Sequence, residues 1–446
     1  MTAPRPPGPR NPPIIGNLFP FRSNPLRFLC RVAREHGDLA YFRAFDRHFY
    51  VVSHPDHIRE VLVTQQSNFI KSRGLQRAKV LLGEGLLTSE GQHHLRQRRL
   101  VQPAFHRERL ASYADMIAEC AVRERDRWQA GETLDIATEM PRLTLAIVGK
   151  TLFSADVESE ASEIGEAMST VLQMFNLLLL PFSEYLEKLP LPSVRRFKKA
   201  RARLDATIYG LIRERRASGQ DAGDLLSMLL LAQDEEAGGE RMTDTQVRDE
   251  ALTLFMAGHE TTANALTWTW YLLSQNPECE QRLHQEVDAV LKGRPPGWAD
   301  LAQLRYTEMV FAEALRLYPP AWAVGREAKE AFELGGVEIP AGAILLMSPY
   351  IVQRSAQWFQ NPERFNPERW TPEAREERPK FAYFPFGGGV RVCIGERFAW
   401  MEGILAMAAL AQRWKLRLKP DQRIDTLPLI TLRTRYGMRM RVEPRN

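Results

Sequence analysis

Cys393 stands where a cysteine can serve a metal as a thiolate. The segment Phe384-Pro385-Phe386-Gly387-Gly388-Gly389-Val390-Arg391-Val392-Cys393-Ile394-Gly395 leads into an apolar, alanine-rich stretch from Phe398 to Leu410 that reads as a helix. Just before a helix start, free N–H groups and the positive end of the dipole favour a thiolate. The three glycines let the backbone approach a large flat group closely. Amides around the sulfur can donate hydrogen bonds that tune a metal, and Arg391 can pair with an anionic group. A buried structural cysteine is the plainer alternative. A phosphate loop is another, but it lacks the Gly-Lys-Ser/Thr ending.

A second constellation is Leu254-Phe255-Met256-Ala257-Gly258-His259-Glu260-Thr261-Thr262-Ala263. It lies in the middle of a helix that opens on the capping box Thr243-Asp244-Thr245-Gln246, runs to about Ser274 and stops at Asn276-Pro277. Apolar residues surround this point on most sides, so a carboxylate there is costly without a partner or a task. Ala257 and Gly258 leave room for a small ligand. Thr261 can turn its hydroxyl to the carbonyl of Ala257 and bend the helix. Glu260 beside it supplies an acid next to an alcohol, as a proton relay requires. His259 reads as a structural or hydrogen-bonding residue rather than a ligand. Two further pairs share helix faces: His94 with Arg98, and Glu313 with Arg316 before Pro319-Pro320. A surface ion pair of the latter kind contributes only a few tenths of a kcal/mol.

Together these segments resemble the cytochrome P-450 family, from Pro12-Pro13-Ile14-Ile15-Gly16-Asn17 to the C-terminal strands. Phe386, Gly389, Arg391, Cys393 and Gly395 meet the family's haem-binding signature, and Ala257 to Thr261 resemble its oxygen-binding motif. The resemblance implies a mainly α fold with smaller β-sheets, haem b lying between the long central helix and the cysteine-loop helix, and Cys393 as the iron ligand. It implies that Glu260 and Thr261 deliver protons to dioxygen and that His94, Arg98 and Arg326 hold the haem propionates. Glu313, Arg316 and Arg369, the last within Phe365-Asn366-Pro367-Glu368-Arg369-Trp370, would form a buried triad bracing the cysteine loop. One departure is Gln353-Arg354, where the family often has His-Arg; it puts a local contact in doubt.

The activity implied is insertion of one oxygen atom of dioxygen into an apolar substrate: a fatty acid, terpenoid or steroid. Electrons from NAD(P)H would arrive through a separate ferredoxin or flavodoxin-like donor and its reductase, since no reductase is fused to the chain. Arg96, Arg99, Arg107, Arg109 and Arg397 are candidates for the basic surface that receives an acidic donor. The pocket should be largely apolar, with Leu82, Phe175, Leu178, Phe255, Trp322, Val324 and Ile430 as candidate lining residues. A peroxygenase or peroxide isomerase is the first rival and a non-enzymatic haem sensor the second; the intact Glu260-Thr261 pair argues against both.

The elements that must position these groups are legible in outline. Pro25 to His36 has helix spacing, and Tyr41 to Val52 reads as a hairpin broken at Asp46-Arg47. Phe332 to Tyr350 is a second β-region with turns at Gly335-Gly336 and Pro340-Ala341-Gly342, and a third spans Leu427 to Val442. Residues 90–330 are mainly helix formers, with a polar loop from Asp234 to Gly239. The expected organisation is a stiff proline-rich segment, 1–17, followed by one haem domain, 18–446.

Composition excludes several other classes. Net charge is +5 over 446 residues, too little for nucleic-acid binding without a concentrated patch. Cys30, Cys120, Cys279 and Cys393 match no zinc spacing and no disulfide framework, which suits a reducing cytoplasm. No apolar run approaches the ~20 residues of a membrane span, and no signal peptide is visible.

Overall fold

A computed structural model describes residues 5–154, 191–234 and 238–445, with Ala167 besides. The chain forms two compact units, each drawn from distant stretches of sequence. The first comprises residues 1–73, 309–393 and 426–433; the second comprises 74–308, 394–425 and 434–446.

The first unit is built on a five-stranded sheet: β1 (Leu39–Ala44), β2 (Arg47–Val52), β3 (Phe69–Lys71), β4 (Val324–Ala328) and β5 (Ile344–Met347), in the order β1-β2-β5-β4-β3. β1 and β2 are antiparallel, from Leu39 opposite Val52 to Ala44 opposite Arg47. β5 runs parallel to β2 and antiparallel to β4. Side chains alternate between faces, as the strand period requires. Leu39, Tyr41, Tyr50 and Val52 enter one core with Leu345 and Met347; Ala40, Phe42 and Val51 enter another with Phe28, Leu29 and Val32.

The helix that supplies the latter three runs from Pro25 to His36 as expected, capped by the Asn24 side chain on the Arg27 N–H, 3.0 Å. The hairpin turns one residue earlier than the sequence suggests: Phe45 takes φ 56° and Arg47 already pairs with Ala44. Tyr350 leaves the strand region for a short helix, Pro349–Val352, because proline favours the first helical position. The proline-rich segment lies along β1, where the Tyr41 N–H donates to the Pro7 carbonyl (2.9 Å) and the Arg43 N–H to Asn11 Oδ1 (2.6 Å).

The second unit is helical. Its principal members are Gly91–Val101, Arg107–Arg127, Ile136–Phe153, the central helix Asp244–Gln275 and the cysteine-loop helix Glu396–Ala411. The capping box forms as read: Thr243 Oγ1 accepts from the Gln246 N–H, and Gln246 returns the contact to the Thr243 N–H. From Val247 to Leu273 the central helix is buried round most of its circumference, which a helix inside a domain needs and a surface helix does not. Of the C-terminal β-region, Thr426–Pro428 and Leu432–Thr434 pair with each other and belong, up to residue 433, to the first unit; Arg439–Pro444 is the middle strand of a sheet with Trp414–Leu418 and Thr133–Asp135 in the second. Gln233–Asp234 and Glu240–Arg241 pair around the polar loop, whose residues 235–237 lie outside the described ones.

Candidate active site

The cysteine loop is held from within and from one side. The Cys393 N–H donates to the Phe386 carbonyl at 3.0 Å, and the Gly387 N–H to that of Phe384 at 2.9 Å. Gly389 sits at φ +68°, and a Cβ there would stand 1.8 Å from the Leu62 carbonyl oxygen, so only glycine fits. Gln66 Oε1 accepts from the Val390 N–H at 3.0 Å. Cys393 itself is exposed and in no disulfide, and the helix expected after Gly395 starts at Glu396 with Gly395 as its N-cap. Arg391 is half-buried.

Behind the loop lies a fully buried ion pair. Arg316 Nε and Nη2 each reach a Glu313 carboxylate oxygen at 2.8 Å, and neither side chain is exposed. Arg316 also donates to the carbonyls of Gln353 (2.8 Å), Pro362 (2.7 Å) and Arg364 (3.2 Å). Glu313 further accepts from Arg369 Nε (3.3 Å), the Trp370 indole (2.9 Å) and the Asn366 N–H (2.9 Å). The surface-pair reading therefore fails for Glu313 and Arg316, and the three triad residues are brought together. Burial holds Arg369 below the usual guanidinium range, with Glu313 working against that.

Gln353 joins this cluster to the loop, a role that sequence reasoning missed. Its amide nitrogen donates to the carbonyls of Leu315 and Arg316, each at 3.1 Å, and its oxygen accepts from the Phe384 N–H at 3.0 Å. The departure from the family pattern thus makes three buried hydrogen bonds. Gln353→Ala strands all three backbone groups, and a free energy of unfolding lowered by about 2 kcal/mol is expected; Gln353→His, which can replace only part of the set, should fall between.

On the central helix, the Thr261 hydroxyl donates to the Ala257 carbonyl at 2.6 Å, the bond anticipated from its position. Glu260 is 7% exposed. His259 is structural: the Thr144 hydroxyl lies 3.0 Å from both its Nδ1 and its carbonyl oxygen. A second acid, Glu402, escaped notice. It is wholly buried on the cysteine-loop helix, and burial pushes its carboxyl up to about 8, the hydroxyl of Thr262 pulling slightly the other way. The signal was present, since Glu402 is the lone acid between Phe398 and Ala411.

The unfolded carboxyl ionises near 4.5 while the folded one keeps its proton, so this group's contribution is whole below pH 4.5 and declines as the pH rises to about 8. Glu402→Gln should flatten that decline. A thermal midpoint that still falls across this interval in the variant, as steeply as in the parent, would sink the assignment.

The Gly91–Val101 helix carries His94, buried, and Arg98, half-buried. The loop before it is pinned to the central helix, with the Glu84 N–H on Asp249 (2.9 Å) and the Leu86 N–H on Glu250 (3.0 Å). Arg326 lies in β4, opposite Leu345 and Lys71. Of the basic candidates, Arg96 and Arg99 lie 2.9 and 3.5 Å from the buried Asp234, and Arg109 lies 3.3 Å from Asp221. Arg99, Arg107 and Arg397 are exposed.

Of the candidate lining residues, Leu82 and Phe255 are buried, the Phe255 ring 5.8 Å from that of Phe153. Trp322 lies against the Phe28 and Phe42 cluster and donates to the Leu429 carbonyl at 2.8 Å. Val324 and Ile430 are half-buried, and Phe175 and Leu178 lie outside the described residues.

Among the described residues no group of three or more His, Cys, Asp or Glu can hold a metal ion. A lone thiolate suits a metal that brings its other ligands, as haem does with its ring nitrogens. The exposed Cys393 sulfur and the glycine backbone around it fit that group.

The family model for cytochrome P450 matches residues 6–437. Cyclooctatin synthase of Streptomyces melanosporofaciens is 42% identical over 435 residues, covering 97% of this chain and 94% of that protein. Pentalenene oxygenase of Streptomyces avermitilis is 36% identical, covering 97% and 96%. Carotene epsilon-monooxygenase of Arabidopsis thaliana is 30% identical, covering 94% and 81%. No helix among the described residues is long and apolar enough to cross a membrane. The chain is a haem-dependent monooxygenase fed by redox partners, and it belongs to the cytochrome P450 family.

Proposed function

We propose that this protein oxygenates a cyclic terpenoid in the cytoplasm, taking electrons from a ferredoxin or flavodoxin-like donor and its reductase. The observation that carries the substrate class is end-to-end similarity to proteins named for cyclooctatin, cyclooctat-9-en-7-ol and pentalenene. Terpenoids are thereby preferred to the fatty acids and steroids that the sequence left equally open.

In this reading Cys393 is the iron ligand, and Phe386, Gly389, Arg391 and Gly395 shape the loop that presents it. His94, Arg98 and Arg326 hold the propionates. The bound haem supplies dioxygen activation and oxygen insertion. Ala257 keeps the central helix narrow where dioxygen must fit. Thr261 holds its proton on the Ala257 carbonyl until it is needed, and Glu260 refills it. Leu82, Phe255, Val324 and Ile430 are apolar side chains that would meet the substrate, with Phe175, Leu178 and Trp322 as further candidates.

A spin-state titration against terpenoid, fatty-acid and steroid panels tests the substrate. A response to cyclic terpenoids at least about tenfold tighter is expected, a difference of ~1.4 kcal/mol; a preference for either other class overturns the proposal. Thr261→Ala tests the relay. NAD(P)H consumption should continue while product per electron pair falls about tenfold or more, within the range for a lost proton donor. Unchanged coupling would remove Thr261 from the relay.

A further inference from the structure

An apolar ridge with arginines nearby stands on the first unit. Ile14 is 77% exposed, Phe19 67%, and Ile15 and Phe45 39% each, four of the ten large exposed hydrophobic side chains among the described residues. Scattered exposed hydrophobics are ordinary, but these four stand on segments whose backbones meet. One backbone carbonyl, that of Ile15, accepts from both the Leu18 N–H (3.3 Å) and the Phe45 N–H (3.0 Å), and Gly16 bridges to Ala44. The loop 12–17, the start of the short helix Leu18–Ser23 and the hairpin turn therefore meet at one point.

Two of the four tips stand on left-handed backbone, Ile14 at φ 63° and Phe45 at φ 56°. A β-branched residue rarely adopts that region, and glycine would adopt it freely. Large apolar side chains are thus held out to water on backbone that suits them poorly, an arrangement that costs the fold and marks a surface with a task.

In sequence the charges near the ridge are mostly positive. From residue 5 to residue 34 there are six arginines and no carboxylate. Arg43 donates to the Pro12 carbonyl at 2.8 Å, which sets its guanidinium beside the ridge. Arg10 and Arg22 are exposed, the latter one helical turn beyond Phe19. Asp46, 3.8 Å from Arg47, is the acid at the turn.

We infer that this ridge seats the protein on an anionic phospholipid surface, Ile14, Ile15, Phe19 and Phe45 entering the interface while the arginines meet lipid phosphates. Protruding apolar tips suit a deformable medium that closes around them, and arginine forks match phosphate. Arginines near a charged bilayer add attraction that salt weakens. The inference is independent of the terpenoid reading, because lipid binding needs no substrate.

The test is co-sedimentation of the holoenzyme with phosphatidylglycerol vesicles, with phosphatidylcholine vesicles beside them, at low and high salt. Binding to phosphatidylglycerol at low salt, at least tenfold weaker on phosphatidylcholine and weakened by salt, is expected. The double variant Ile14→Gly, Phe45→Gly should release the protein at least tenfold. It places glycine where the backbone already asks for it, so folding is spared, and an unchanged carbon monoxide difference spectrum confirms this. Phe19→Ser, on ordinary helix, should act in the same direction. A parent protein that stays in the supernatant overturns the inference, as do equal binding to both lipids and glycine variants that bind as before. A dimer in sedimentation velocity that the variants abolish, without vesicle binding, assigns the ridge to a second copy of the chain and overturns it too.

Discussion

Cys393→Ala should abolish the thiolate-type Soret shift of the reduced, carbon monoxide-treated protein and reduce product formation to background. The expectation rests on a count of ligands. No cluster of metal-binding side chains exists among the described residues to take over from Cys393. Alanine removes the sulfur without disturbing the bond from the 393 N–H to the Phe386 carbonyl, so the loop itself should persist. Circular dichroism and the melting profile of the metal-free protein should therefore change little. Controls sharpen the point. Cys120 is buried, and Cys30 and Cys279 are half-buried; their alanine variants should keep the shifted band. A variant lacking Cys393 that retains that band would remove it as the ligand, and loss of the band in the Cys30 or Cys279 variants would reassign the ligand.

Arg316→Ala should be the most damaging change away from the haem, costing about 3–5 kcal/mol of folding stability. The guanidinium has no exposed surface, and its removal leaves the Glu313 carboxylate charged, buried and short of its principal partner. It also strands the carbonyls of Gln353, Pro362 and Arg364. Against a typical margin of ~5–15 kcal/mol, a loss of this size should appear as poor haem incorporation as well as a lowered midpoint. Arg316→Lys is not a rescue, because an ammonium cannot reproduce the fork on Glu313 and reach three carbonyls. Arg369→Ala should cost less, about 1 kcal/mol, since Arg369 makes a single 3.3 Å contact with the same carboxylate. Chemical denaturation of the three variants ranks them. If Arg316→Ala costs no more than Arg369→Ala, the buried pair does not brace the loop.

The lipid-facing ridge gives positive-φ residues a different meaning from glycine. Gly389 is small because the Leu62 carbonyl leaves no room. Ile14 and Phe45 are large although glycine would be at ease, so their size must be explained by something outside the fold.

Some of this protein is determined by residues near one another in the chain. The capping box at Thr243, the helix Pro25–His36, the start of the cysteine-loop helix and the bond from Thr261 to Ala257 all obey rules that act within about four residues. Those were legible directly, and the spacing of Phe386, Gly389, Arg391, Cys393 and Gly395 carries the resemblance to the family's haem-binding signature because that pattern is also local.

Tertiary structure alone decided the rest. Glu313 and Arg316 by themselves are an ordinary i,i+3 pair; the resemblance implied their burial through Arg369, and the contacts that enclose them come from residues 353–370. Gln353 looked like a departure from pattern; its worth comes from the Leu315, Arg316 and Phe384 backbone groups, more than thirty residues away on either side. Arg96 looked like one more solvated arginine, and the buried Asp234 takes its Nε at 2.9 Å. Glu402 looked like one acid in an apolar helix, and only complete burial keeps its proton on. The physical reason is common to all four. A charge or an amide is paired, satisfied or shut away from water by what the fold packs around it, and those neighbours are seldom neighbours in sequence.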